Sequence, residues 1–254
     1  MYKKGTNMIK LAFSLLLIFI TLNVNAGEKI TYTLNNEIFE GYVSKPIGIT
    51  KGLVLIIHDW DGLTEYEETR ANMISKIGYT AFAIDLYGKN NRPKETKLKK
   101  EETAKLYNNR ERMRSLILAG LQTINKERNL NTFVIGYCFG GAAALELARS
   151  GMGSNIVGYA TFHGGLKTPD GQSYPKNTPP IFIAHGGADK AIGLNEVFSL
   201  SKELEEQNLK YEINIYSNAN HGFTVFKSKR YESTADKKSW HSFKSFLKSS
   251  IENK

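Results

Sequence analysis

The stretch Gly136-Tyr137-Cys138-Phe139-Gly140-Gly141 restricts this chain more than any other. An apolar run at 132–135 leads into it and an alanine-rich segment, 142–148, leads out. Apolar run, tight turn and helix together describe a strand that delivers one side chain to the end of a sheet. The glycines two before and two after Cys138 leave room where larger side chains would collide. A lone free thiol is most often a buried structural cysteine. Here the glycines and their context favour an outward-facing nucleophile, whose sulfur beside a helix N-terminus is expected to lean toward thiolate.

The rest of the chain alternates in the same way. Residues 30–43 alternate around Asn35-Asn36 and predict an edge hairpin. The run 53–57 is continuously apolar and reads as a buried strand that delivers the loop His58-Asp59-Trp60-Asp61-Gly62. A helix over 66–77, a strand over 79–84, a helical region over 101–127, strands at 156–161, 181–184 and 211–216, and helices over 194–208 and 233–247 complete a βαβ rhythm. Segments 89–100 and 167–180 read as surface loops near the carboxyl ends of parallel strands, where open α/β sheets bind ligands. With 41% hydrophobic and 23% charged residues, the composition argues against disordered, collagen-like and multi-pass membrane chains. The expected architecture is one α/β domain over 27–254, a mostly parallel central sheet with helices on both faces.

Ahead of that domain, Lys3, Lys4 and Lys10 precede or open an apolar run from Leu11 to Leu22, followed by Val24-Asn25-Ala26. This is the pattern of a secretory signal cleaved after Ala26. The run falls short of the roughly 20 residues a bilayer span needs, so no stable membrane insertion is expected after cleavage. The protein is expected to be exported, to the periplasm in a two-membrane bacterium and otherwise to the medium. Its one cysteine rules out an intramolecular disulfide. The net charge of +9 owes three charges to the signal lysines, and the remaining basic residues show no zinc-finger or aromatic-basic spacing. No nucleic-acid partner is expected, and a monomer is compatible with the sequence.

A cysteine nucleophile needs a base, and the base an orienting group. Asp189 follows the strand at 181–184, and His221 follows that at 211–216. The order nucleophile, acid, histidine is that of the α/β-hydrolase arrangement, and all three fall at strand ends on one side. The backbone N–H groups of Phe139 and Trp60 are the expected oxyanion donors. Asp59 either accepts from the Cys138 thiol or competes for it, holding the resting protein neutral until substrate binds, or it stabilises the 58–62 turn. Tyr87, Tyr137, Phe139, Phe162 and Phe223 either line an apolar pocket or pack the core. His58, His163, His185 and His241 lack compact ligand spacing, so neither metal nor other cofactor is expected.

The segments IIHDWDGL, AIDLYGK, GYCFGG, HGGAD and HGFTV, with Tyr231, Ala235, Trp240 and Phe246, together resemble the dienelactone hydrolase family across nearly all of 27–254. The resemblance implies an α/β-hydrolase fold, a Cys138-Asp189-His221 triad and cleavage of a small ester or lactone. It also implies an acidic residue that meets the resting cysteine: family members usually have Glu there, and this chain has Asp59. Where well-known members grip a substrate carboxylate with two arginines, this chain has Lys89 and, near the second position, Val225. A lysine is a point charge and cannot form the planar two-pronged clamp. Lys89, Tyr87 and Phe223 are the candidate pocket residues. Two alternatives share these features: a thioesterase or other envelope ester hydrolase, and a noncatalytic ligand-binding protein on the same fold.

Overall fold

The computed structural model describes residues 27–125 and 129–252; the expected signal, residues 1–26, lies outside them. The described residues form one sheet in the order β1-β2-β4-β3-β5-β6-β7-β8. The edge hairpin, β1 (Glu28–Leu34) and β2 (Glu37–Ser44), turns at Asn35 and Asn36, both with positive φ. That is the geometry a two-residue hairpin loop requires. β2 joins the sheet antiparallel to β4 (Thr80–Ile84). From there every pairing is parallel through β3 (Leu53–Ile57), β5 (Thr132–Tyr137), β6 (Ile156–Phe162), β7 (Ile181–Gly186) and β8 (Tyr211–Tyr216). The fold is that of the α/β hydrolases, a mostly parallel mixed sheet with helices on both faces.

β3 is buried along its whole length because both its faces are covered. Leu53, Leu55 and Ile57 join a core with α3 (Arg110–Asn125), α4 (Phe139–Ser150) and α5 (Leu194–Glu206). Val54 and Ile56 join the opposite core with α1 (Glu65–Lys76) and α6 (Ser233–Glu252). The period-2 side-chain alternation of a strand makes this division. Burial of aliphatic and aromatic side chains on both faces of the sheet supplies the main driving force for the fold. α1 starts at a capping box in which the Thr64 side chain and Glu67 cap each other's backbone.

The chain runs from β4 back across β3 to β5, so the strand order reverses beside β3. Open α/β sheets leave a crevice at the carboxyl ends of strands where this happens. The ends of β3 and β5 carry Asp59 and Cys138.

Two boundaries differ from expectation. The segment 89–100 is not wholly a loop, because α2 (Thr96–Tyr107) begins within it. α2 buries Leu106 alone and starts on lysines, one paired with Glu101 four residues on, so it shows almost no apolar periodicity. The expected single helical region also divides at Asn108 and Asn109, where the Asn109 side chain accepts from the Arg112 amide and caps α3. No helix among the described residues is long and apolar enough to cross a membrane.

Candidate active site

Cys138 sits at the turn from β5 into α4 with φ 51° and ψ −111°, a conformation non-glycine residues rarely adopt. The surroundings leave it no alternative. A Cβ on Gly136 would lie 2.0 Å from the Gly140 carbonyl oxygen, and one on Gly140 would lie 2.3 Å from the Ile57 carbonyl oxygen. The Cys138 amide donates to the Phe162 carbonyl at 3.0 Å, and its own carbonyl accepts from Gly141 at 3.1 Å and Ala142 at 3.3 Å.

His221 and Asp189 arrive from the loops after β8 and β7. His221 Nε2 is 3.0 Å from Cys138 Sγ, and its Nδ1 is 2.8 Å from Asp189 Oδ2. The other carboxylate oxygen accepts from the Ala191 and Ile192 amides at 2.8 and 2.9 Å, which fixes its plane. Burial works to raise the Asp189 pKa, but the His221 hydrogen bond and these amides outweigh it and hold the carboxyl below its usual value. An ionised Asp189 keeps the proton on His221 Nδ1 and leaves Nε2 free to accept from the thiol.

Asp59 occupies the third side of the sulfur. Its carboxylate competes with His221 for the single thiol proton, and Asp59 Oδ1 accepts from the Trp60 amide at 2.5 Å. Two sequence expectations meet a different resting state here. The Trp60 N–H is not a vacant oxyanion donor, because the neighbouring carboxylate holds it. The thiol does not lean toward thiolate either: burial and then the Asp59 charge push its pKa well above the ordinary value, against the pull of the Phe139 amide.

Burial, and then Asp61, in turn push Asp59 up to about 6. Glu67, wholly buried and raised to about 8, accepts from the Asp59 amide at 3.3 Å while capping α1. His58 has a supporting role, since Nε2 accepts from the Leu86 amide at 3.1 Å, leaving Nδ1–H to donate to the Asp59 carbonyl at 2.6 Å.

Above pH 6 the charged Asp59 opposes thiolate formation, so its removal has a defined sign. Asp59→Asn is expected to lower the pH midpoint of Cys138 alkylation by iodoacetamide and to speed alkylation at pH 7, a fall of one in the midpoint giving about tenfold more thiolate. An unchanged midpoint would separate Asp59 from the thiol.

The candidate pocket residues fare differently. Lys89 does not serve the cleft: its amine meets Glu40 on the edge hairpin at 3.5 Å. Phe223 is fully buried and packs on Tyr216 and His163, so it belongs to the core. Tyr137 and Phe162 are core residues too, stacked with ring centroids 4.9 Å apart. Tyr87 stays beside the Asp59 loop, its hydroxyl donating to the Trp60 carbonyl at 3.2 Å and its ring against His58.

Sequence reading missed the cleft next to the Cys138 turn. A cavity of about 450 Å³ is lined by Tyr107, Arg110, Ala142, Arg149, Gly165 and Ile192, among others. Tyr107 places its ring on Phe139 at 5.4 Å, which brings the α2–α3 junction to the Cys138 turn. Beneath it the buried Glu146 carboxylate binds Arg110, Arg114 and Arg149. No local pattern marks these residues, because the helices bearing them meet only in three dimensions. Among the described residues no cluster of three or more His, Cys, Asp or Glu is arranged to hold a metal ion.

Several known proteins are similar to this chain. The dienelactone hydrolase family model matches residues 39–251. Protein usf of Aquifex pyrophilus is 22% identical over 207 residues, 78% of this chain and 87% of that protein. A Bradyrhizobium sp. protein named as a probable 2-oxo-3-(5-oxofuran-2-ylidene)propanoate lactonase is 22% identical over 225 residues, 84% of this chain and 90% of its own. Among solved structures, a dienelactone hydrolase-like promiscuous phosphotriesterase from metagenomic libraries superposes with a TM-score of 0.78 at 22% identity, covering 88% of this chain and 97% of that one.

Proposed function

The chain belongs to the dienelactone hydrolase family, and on that premise we propose that it cleaves small carboxylic esters or lactones through a thioester on Cys138. The observation that carries this reading is the single imidazole of His221 lying between Cys138 Sγ and Asp189 Oδ2. In the proposed cycle the thiol proton passes to His221 Nε2 as sulfur attacks the substrate carbonyl carbon. The carbonyl oxygen takes the resulting charge and is met by the Phe139 amide at the start of α4. The Trp60 amide becomes the second donor once Asp59 releases it, so the oxyanion site is half formed at rest. Collapse of the tetrahedral species expels the alkoxide, which takes the proton from His221. His221 then accepts a proton from water as that water attacks the thioester, freeing the acid and restoring the thiol.

The resting thiol is held protonated by burial and by the facing Asp59 charge. Its activation must come with substrate, as the proton moves to His221. The cleft beside Tyr107 and Ala142 accommodates a small acyl or lactone ring. The similarity to a protein named as a lactonase supports this substrate class. The basic and apolar pattern of residues 1–26 supports export of the enzyme.

The direct test mixes the purified protein with p-nitrophenyl acetate and follows both released nitrophenolate and the intact mass. Turnover with a transient acetyl adduct on the peptide containing Cys138 is the expected result. An adduct mapped to another residue overturns the assignment. A panel of lactones and linear esters of increasing acyl length then distinguishes a lactonase from a thioesterase or general esterase.

A further inference from the structure

Below the His221 imidazole lies a chain of buried polar groups for which the proposed reaction has no use. His163, just after β6, turns its ring against that of His221, with centroids 5.4 Å apart and planes at 68°. It is fully buried, and its φ of 42° is one that non-glycine residues adopt only where the surroundings impose it. What imposes it can be followed bond by bond. His163 Nε2 is 2.8 Å from Thr224 Oγ1, which is 2.6 Å from the Tyr66 hydroxyl, which accepts from Arg70 Nε at 3.3 Å.

Arginine only donates, so Tyr66 accepts from Arg70. The Thr224 hydroxyl links the Tyr66 hydroxyl to His163 Nε2. The inner end is held by charge and packing. Arg70 is buried in an ion pair with the buried Asp236, donates to the Thr224 carbonyl at 2.8 Å, and lies within 5.7 Å of the ring centroids of Tyr66, Tyr137, Phe226 and Trp240. Thr224 is three residues past His221, so the same anchor grips both the wall behind the imidazole and the loop that carries it.

We propose that His163 is a positioning residue for His221: its ring is the wall that keeps the imidazole aligned between Asp189 and Cys138, and the Thr224–Tyr66 hydroxyl chain, anchored on Arg70 and Asp236, holds that wall in place. The proposal rests on the reading of His221 as the base of the proposed hydrolase. It assigns a functional consequence to Tyr66, whose hydroxyl touches neither His221 nor Cys138.

Tyr66→Phe keeps the ring beside Arg70 and removes only the middle hydroxyl. The folded variant is expected to show KM within about twofold of the parent and kcat lowered by about tenfold or more, the pattern of a misplaced base rather than a damaged binding site. His163→Ala removes the wall and is expected to lower kcat further, and His163→Phe, which restores a ring, to recover part of the loss. The second readout is the pH profile of Cys138 alkylation by iodoacetamide, which reports the Cys138–His221 contact without any ester hydrolysis. Its midpoint is expected to shift in Tyr66→Phe and His163→Ala. Parent-like kcat and an unshifted midpoint in folded Tyr66→Phe or in folded His163→Ala would overturn the proposal, and where His163→Ala does not fold the Tyr66→Phe result decides. If the parent protein cleaves no ester, the functional reading fails, and the alkylation midpoints still decide the positioning role.

Discussion

Cys138→Ala is expected to yield a folded protein whose ester turnover has fallen by roughly four orders of magnitude or more. The size of the loss follows from the cooperation of the three groups. Without sulfur no thioester forms, and His221, although still held by Asp189, has no nucleophile to activate. What survives is the Phe139 amide and the cleft, which together can only assist direct attack by water. The fold should hardly notice. Alanine is shorter than cysteine, the strained backbone at φ 51° is unchanged in kind, and the bonds that pin the turn come from the backbone of residue 138. A thermal midpoint within a few degrees of the parent, a change of about 1 kcal/mol or less, is expected. Circular dichroism with p-nitrophenyl acetate kinetics checks both halves, and activity within tenfold of the parent would sink the cysteine mechanism.

Gly140→Ala is expected to have the largest effect on the fold itself. The new methyl group would lie 2.3 Å from the Ile57 carbonyl oxygen and 2.5 Å from that of His58, both backbone atoms that no rotamer change can move. To admit it, α4 must separate from the end of β3, where the Asp59 loop begins. Because α4 is buried along nearly its whole length, that displacement opens the central core. Overpacking of this kind costs about 1–3 kcal/mol where side chains can yield, and a backbone clash exceeds it. The variant is expected to be insoluble or to melt more than about 10 °C lower, a loss of several kcal/mol for a domain of this size. A soluble Gly140→Ala protein with an unchanged melting point and normal turnover would show that the nucleophile turn does not need this approach.

These two substitutions divide the molecule along the line between local and long-range information. β3 lies on its apolar run at 53–57, β8 on the expected segment 211–216, and the hairpin turns at Asn35 and Asn36, because strand patterning and turn conformation are written in neighbouring residues. The turn around Cys138 was legible for the same reason, as two glycines at fixed spacing have one common steric cause. Chain order also pointed to Asp189 and His221, and the structure sets His221 within hydrogen-bonding distance of both Asp189 and Cys138. α2 was less legible, since a lysine-rich helix that buries a single leucine leaves no stripe to read.

The sequence by itself determined the strands and all the helices but α2 and its break from α3, which turn must be glycine-lined, and at which end of the sheet Cys138, Asp189 and His221 collect. The electrostatic state of those side chains was decided by the tertiary structure. A thiol beside a helix N-terminus is expected to ionise readily, yet enclosure by the fold and the facing Asp59 carboxylate reverse that tendency. The Trp60 amide is expected to be an open donor, yet the same carboxylate takes it. Lys89 goes to Glu40, and Thr224 connects His163 with Tyr66 across 61 and 158 positions of chain. Periodicity and steric demand act between neighbours and survive in the sequence. Desolvation, charge pairing and hydrogen-bond direction depend on which surfaces meet, and that is settled only when the chain has folded.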